Sequence, residues 1–150
     1  MILFLKKDKK QFYKFYKVLR CGSEEKLSKI TDYVFRCFDK DGNGSLDFSE
    51  FLIAYSITSM GDAKQKLEFV FSFYDKDHSG SIEESEFLKV IQAMYEFRGK
   101  NKKTYPPDKC VKDIFECIDR NGDKKLTKDE FIDGCIKNQH IAELISPFDI

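Results

Sequence analysis

The sequence predicts an all-α fold of helix-loop-helix repeats, paired into two lobes, with a short two-stranded ribbon joining the loops of each pair. Three observations predict it. Apolar residues recur at three- and four-residue spacing through most of the chain, the period of a buried helix face. Three twelve-residue polar stretches interrupt that pattern at 39–50, 75–86 and 119–130, each opening on Asp and closing on Glu. The flanks repeat too, as an internal duplication requires: Val34-Phe35, Val70-Phe71 and Ile114-Phe115 precede the loops, and Phe51-Leu52, Phe87-Leu88 and Phe131-Ile132 follow them.

The first polar stretch, DKDGNGSLDFSE, meets each demand that calcium makes of a chain. Ca²⁺ takes six to eight oxygens at about 2.3–2.6 Å, so one short loop must wrap around a point. Asp39, Asp41 and Asn43 fill loop positions 1, 3 and 5 with short oxygen-bearing side chains. Gly44 at position 6 supplies the positive φ of the turn. Ser45 offers its carbonyl at position 7, Asp47 at position 9 acts through water, and Glu50 at position 12 closes the shell with two oxygens. This is an EF-hand loop. An acidic surface turn is the ordinary explanation for Asp, Gly and Asn together, but it does not account for so many constrained positions at once.

The second loop, DKDHSGSIEESE, repeats the set with Asp75, Asp77, Ser79, Gly80, Ser81, Glu83 and Glu86, where Ser79 is a weaker ligand than Asp or Asn. The third has Asp119, Asn121, Asp123, the Lys125 carbonyl, Thr127 and Glu130, but Lys124 stands at position 6. A side chain held in the left-handed region costs about 1 kcal/mol, or roughly five-fold in affinity where all of it falls on binding. Fewer acids and two lysines push the same way, so the third site is expected to bind more weakly than the other two. Mg²⁺ is a candidate occupant at resting calcium.

In chain order, a helix is expected from about Lys7 to Leu19, with Phe12, Phe15, Tyr16 and Leu19 on one face, and a second after an N-cap at Ser23. The second carries Leu27, Ile30, Val34, Phe35 and Phe38 into the first loop. Helices follow Glu50 to about Ser59, run from Ala63 to Tyr74, from about Ser85 to Arg98, from about Asp108 to Ile118, and from about Lys128 to Lys137. GKNKKTYPP at 99–107 has no apolar period and two prolines, and reads as the main linker. The apolar tail from Ile141, with Leu144, Ile145 and Phe148, is expected to dock on its own domain.

Leu46, Ile82 and Leu126 at loop position 8 are the residues a ribbon between paired loops would bury. The second and third loops pair naturally, their starts 44 residues apart. The first needs another partner, and Leu3, Phe4 and Leu5 are expected to be the remnant half of a degenerate hand. The lobes then divide as 1–60 and 61–150.

Charge balances at 26 cations and 26 anions, which gives no reason to expect nucleic acid as a partner. Residues 1–38 are locally basic at net +6, so Lys6 to Arg36 offers a contact for an acidic membrane surface, although a solvated helix face explains the same charges. Five cysteines, Cys21, Cys37, Cys110, Cys117 and Cys135, lack disulfide or zinc spacing and suit a reducing, cytoplasmic compartment. Met1 to Leu5 is too short for a signal-peptide core or a membrane span. No enzyme is expected, since His78 and His140 have no nearby nucleophile and the carboxylates belong to ligand sets.

With loops, linker and half-hand in place, the chain resembles the neuronal calcium sensor family. The likeness runs from about Phe12 to Ile145, through FYKFYKVL, VFRCFDKDGNGSLDFSEFLIAYSITSMGDAKQKLEFVFSFYD and DIFECIDRNGDKKLTKDEFIDG. It implies four EF-hands in two pairs, a first hand without calcium, and an apolar groove that grips the amphipathic helix of a target protein once calcium binds. Phe35, Phe51, Tyr55 and Phe71 fall at the family's apolar positions, as groove or core. Members usually begin Met-Gly and are myristoylated; residue 2 here is Ile2, so no N-myristoylation signal is expected in this chain. A calcium buffer that barely opens, or a constitutive regulatory subunit of a channel, cyclase or phosphatase, are the other readings of the same loops.

Overall fold

Asp8 and Gln11 set the start of the first described helix. In the computed structural model, which describes residues 7–19, 24–98 and 101–146, the Gln11 N–H donates to Asp8 Oδ1 at 2.8 Å and the Asp8 N–H to Gln11 Oε1 at 3.1 Å. This reciprocal cap satisfies two donors that a helix start leaves open. Strand β1 (Lys7–Asp8) therefore precedes helix α1 (Lys9–Leu19), so the helix starts two residues later than its apolar period suggests. Helix α2 (Glu24–Phe38) leads to the first loop, strand β2 (Ser45–Leu46) and helix α3 (Phe48–Met60). Helix α4 (Ala63–Tyr74), strand β3 (Ser81–Glu83) and helix α5 (Glu84–Arg98) form the second hand. Helix α6 (Pro107–Ile118), strand β4 (Lys125–Thr127) and helix α7 (Lys128–Lys137) form the third, and helix α8 (Gln139–Ile145) follows.

Local chemistry sets the boundaries. Asp47, Asp62 and Thr127 each close a capping box with the residue three positions on, Glu50, Gln65 and Glu130. Pro107 opens α6 at a position whose N–H has no helical partner to lose. In the expected linker, residues 101–106 are irregular and Pro107 is already helical, while 99–100 lie outside the described residues. Ser23, Leu3, Phe4, Leu5 and Phe148 also lie outside them, as do the side chains of Phe15, Tyr16, Leu19, Leu27 and Ile30.

Both ribbons are antiparallel. Ile82 faces Leu126 in the β3–β4 pair, and Leu46 faces Lys7 in the β1–β2 pair. All three apolar position-8 residues are fully buried. The second and third loops thus pair as expected, and the first pairs with Lys7–Asp8. By that register Lys7 takes the place of a position-8 residue and Gln11 that of a position-12 glutamate.

Among the described residues the core is one cluster from Phe12 to Ile145, aliphatic for the most part and crossed by aromatic pairs. Phe12 packs edge-on against Phe35, Phe38 meets Phe69 at 5.7 Å, and Tyr33 meets Phe73 at 5.5 Å, which binds α2 across α4. Tyr74 stacks on Phe87 at 4.6 Å, and Phe71 meets Phe131 at 5.6 Å. Each such ring is worth about 1.5–3 kcal/mol in burial, with about 0.5–1.5 kcal/mol more per well-placed pair. Ile141, Ala142 and Ile145 of α8 are buried on the same core, so the apolar tail docks on its own domain as far as it is described.

Candidate metal centres

The three loops share one hydrogen-bond plan. The carboxylate at position 1 accepts the backbone N–H of position 6: Asp39 from Gly44, Asp75 from Gly80 and Asp119 from Lys124, each at 2.9 Å. Curling the chain back this far requires positive φ at position 6, and the values are 82°, 87° and 61°. Lys124 therefore adopts the left-handed conformation that the sequence implies and glycine favours. Position 4 makes the same demand. Gly42 and Gly122 stand there at 69° and 68°, and His78 at 55°. The second loop thus carries one strained side chain, as the third does, a feature that the glycines at position 4 of its sisters signal in the sequence.

In the first loop, Asp39, Asp41 and Glu50 bring carboxylate oxygens within 4.8 Å of one another, and Asp75, Asp77 and Glu86 do so in the second. Among the described residues these are the two such groups; Asp119, Asp123 and Glu130 do not gather likewise, and an amide, Asn121, stands at the third loop's position 3. Asn43 Oδ1 accepts from the Ser45 N–H at 2.8 Å and the Ser79 hydroxyl donates to the Ser81 carbonyl at 2.8 Å, so both position-5 side chains point within their loops. Asp123 Oδ1 accepts from the Lys125 N–H at 2.9 Å. Ser45, Ser81 and Lys125 each open a ribbon strand.

Glu50 links a loop to a helix: its Oε1 accepts from the Asp41 N–H at 3.2 Å and its Oε2 from the Asp47 N–H at 3.1 Å. Glu86 accepts from the Glu83 N–H at 2.9 Å, and Glu130 from Thr127 at 3.1 Å. Burial, opposed by the Glu83 N–H, holds the Glu86 carboxyl above its ordinary value, and the negative Asp77, Asp75 and Glu83 add to the rise. Hydrogen bonds from Ser79 hold Asp77 below its own. Crowded carboxylates of this kind suit a hard divalent cation, and the donor sets hold oxygen alone.

Around the loops, α3 is unusual. Ala54 is its one buried residue, whereas Phe48, Leu52, Ile53, Tyr55 and Met60 are exposed. Of the four aromatics at the family's apolar positions, Phe35 and Phe71 are core, Phe51 is half-buried, and Tyr55 is 54% exposed while stacked on Phe51 at 5.9 Å. Of the basic residues between 6 and 36, Lys9 pairs with Asp32 at 2.8 Å and Arg36 lies over the Tyr33 ring. The side chains of Lys6, Lys7, Lys17, Arg20, Lys26 and Lys29 lie outside the described residues.

Comparison with known proteins agrees with this geometry. The EF-hand domain pair family matches residues 64–136, and the EF hand domain family matches residues 30–56. S-modulin of Aquarana catesbeiana is 38% identical over 144 residues, covering 92% of this chain and 70% of that protein. The chain belongs to the neuronal calcium sensor family. Neuronal calcium sensor 1 of Aplysia californica is 44% identical over 126 residues, 81% of this chain and 66% of that protein. Guanylyl cyclase-activating protein 2 of Lithobates pipiens is 30% identical over 142 residues, 90% of this chain and 71% of that protein. The chain thus spans about two thirds of the length of these family members. It is a calcium-binding EF-hand protein of a sensor family, and the resemblance carried by its flanking motifs is borne out.

Proposed function

We propose that this chain senses calcium in the cytoplasm and, once loaded, presents an apolar surface centred on α3 to an amphipathic helix of a target protein. Calcium is held by Asp39, Asp41, Asn43, the Ser45 carbonyl and Glu50, and by Asp75, Asp77, Ser79, the Ser81 carbonyl and Glu86. Asp119, Asn121, Asp123, the Lys125 carbonyl and Glu130 hold a third ion more weakly. Residues 1–60 and 61–150 act as the two lobes. The protein regulates and does not itself catalyse.

The observation that carries this reading is the junction at Glu50. The residue belongs to a carboxylate cluster and to the cap of α3, and α3 is the helix that leaves Phe48, Leu52, Ile53, Tyr55 and Met60 exposed. An ion in the first loop competes for the Glu50 oxygens now held by Asp41 and Asp47, so loading the loop pulls on the helix that bears the apolar residues. Among the described residues no helix is long and apolar enough to cross a membrane.

The test is a calcium titration at millimolar Mg²⁺, reading bound ions and an apolar-surface dye together. Dye uptake in step with binding at micromolar calcium supports the sensor. Binding without dye uptake overturns it in favour of a buffer, and full occupancy at the lowest calcium favours a constitutive subunit.

A further inference from the structure

A second feature borders the first loop, whose Asp39 lies on its wall. A cleft of about 850 Å³ opens between α2 and α5, with Lys9, Lys76 and Lys102 also in its lining. That volume is in the range of about 300–1,000 Å³ typical of small-molecule sites. The charges on its walls are unequal. Lys9 is paired with Asp32 at 2.8 Å and Lys102 with Glu96 at 3.5 Å. Arg36, Lys76 and Lys89 have no carboxylate partner among the described residues. The remaining acid on the wall, Asp39, already accepts from Asn43 and Gly44 within its own loop.

Arg36 is the decisive residue. Its guanidinium lies 4.9 Å from the centre of the Tyr33 ring, Nη2 donates to the Phe73 carbonyl at 3.5 Å, and Nε is buried without an acceptor. The Arg36 side chain is half-buried, and its planar fork matches the oxygens of a phosphoryl group. Lys76 and Lys89 are exposed at the same cleft and act as point charges. Tyr33, Phe35 and Ala93 give the cleft an apolar wall.

We propose that this cleft binds a small, multiply phosphorylated ligand, with Arg36 forked onto one phosphoryl group and Lys76 and Lys89 neutralising others. The shared chemistry is the phosphate ester, whether it is a soluble molecule or the headgroup of a lipid. The site does not rest on the calcium reading, because Arg36, Lys76 and Lys89 are not calcium ligands, although Asp39 on its wall is shared with the first loop.

The full chain is titrated calorimetrically with inositol 1,4,5-trisphosphate, in calcium-free and in calcium-saturated buffer. It is also sedimented with phosphatidylcholine vesicles carrying either a phosphatidylinositol bisphosphate or phosphatidylserine. One-to-one saturable binding in either buffer is expected, weakened about tenfold or more by Lys89→Glu, the scale of a lost charge-assisted bond. Lys109→Glu, an exposed lysine on α6 outside the cleft, leaves it unchanged. Binding of the soluble ester identifies a soluble ligand, and binding of the bisphosphate vesicles alone identifies a headgroup. The proposal is overturned if neither probe binds, if Lys89→Glu and Lys109→Glu weaken binding equally, or if phosphatidylserine vesicles bind as well as the bisphosphate ones.

Discussion

The Tyr74 hydroxyl donates to the Ile145 carbonyl at 2.7 Å in the interior, joining the helix that enters the second loop to the end of α8. A helix end leaves its last carbonyls without intrahelical partners, so this bond satisfies an acceptor that burial would otherwise strand. Tyr74→Phe keeps the ring stacked on Phe87 and removes the donor. It should lower stability by about 1–3 kcal/mol, read as a lower urea midpoint with an unchanged slope. An unchanged midpoint would mean that α8 is not fastened through this contact.

Replacing the closing glutamates separates the loops. Glu50→Gln and Glu86→Gln keep an oxygen for the capping bond but lose a carboxylate, so each variant should bind one calcium ion fewer at micromolar calcium. Glu86 adds a stability effect with a definite sign. Its carboxyl is raised by burial and by Asp77 and Asp75, so its favourable contribution is complete at acid pH and is lost as pH rises through the raised value. The neutral amide removes that loss. Calcium-free Glu86→Gln should therefore melt higher than the parent at neutral pH and gain less on adding calcium, as calorimetry would show.

Backbone strain gives a paired prediction. Lys124 at φ 61° and His78 at φ 55° occupy the left-handed region where the sister loops place glycine. Lys124→Gly should tighten the third site about five-fold, from about 1 kcal/mol of relieved strain. His78→Gly should help the second loop less, because histidine tolerates this region better than lysine does. Site-resolved titration would decide, and no gain at the third site would place its weakness in the ligand set alone.

These two residues also show what the sequence made legible. Position 6 carries a known demand, so Lys124 stood out at once; position 4 carries the same demand, and the glycines at 42 and 122 signal it only when the three loop sequences are set side by side. Helix periods located α4 and α7 to the residue. They placed the start of α1 two residues early because Lys7 and Asp8 join a ribbon through backbone groups, which hydrophobic patterning does not record. The Asp8–Gln11 spacing was the available signal. The exposed apolar side chains of α3 were hidden for a similar reason, since an apolar helix reads as core until its neighbours are placed around it.

Cysteine reactivity tests the packing of α2 and α7. Burial pushes the Cys37 thiol up to about 12, outweighing the Ser72 hydroxyl and the Arg36 cation, and burial alone takes Cys135 to about 12. Cys117 is exposed, while Cys110 is buried. At neutral pH a thiol reagent should therefore modify Cys117 well before Cys37, Cys110 or Cys135, which become reactive only as the chain opens. The raised values also fix an alkaline trend. Folding holds these protons more tightly than the unfolded chain, whose thiols titrate near 9.0, so the associated stability is complete below that pH and is lost as pH rises towards 12. Peptide mapping after brief labelling reads the first effect and unfolding at a series of alkaline pH values reads the second; early labelling of Cys37 would mean that α2 leaves α4 readily in solution.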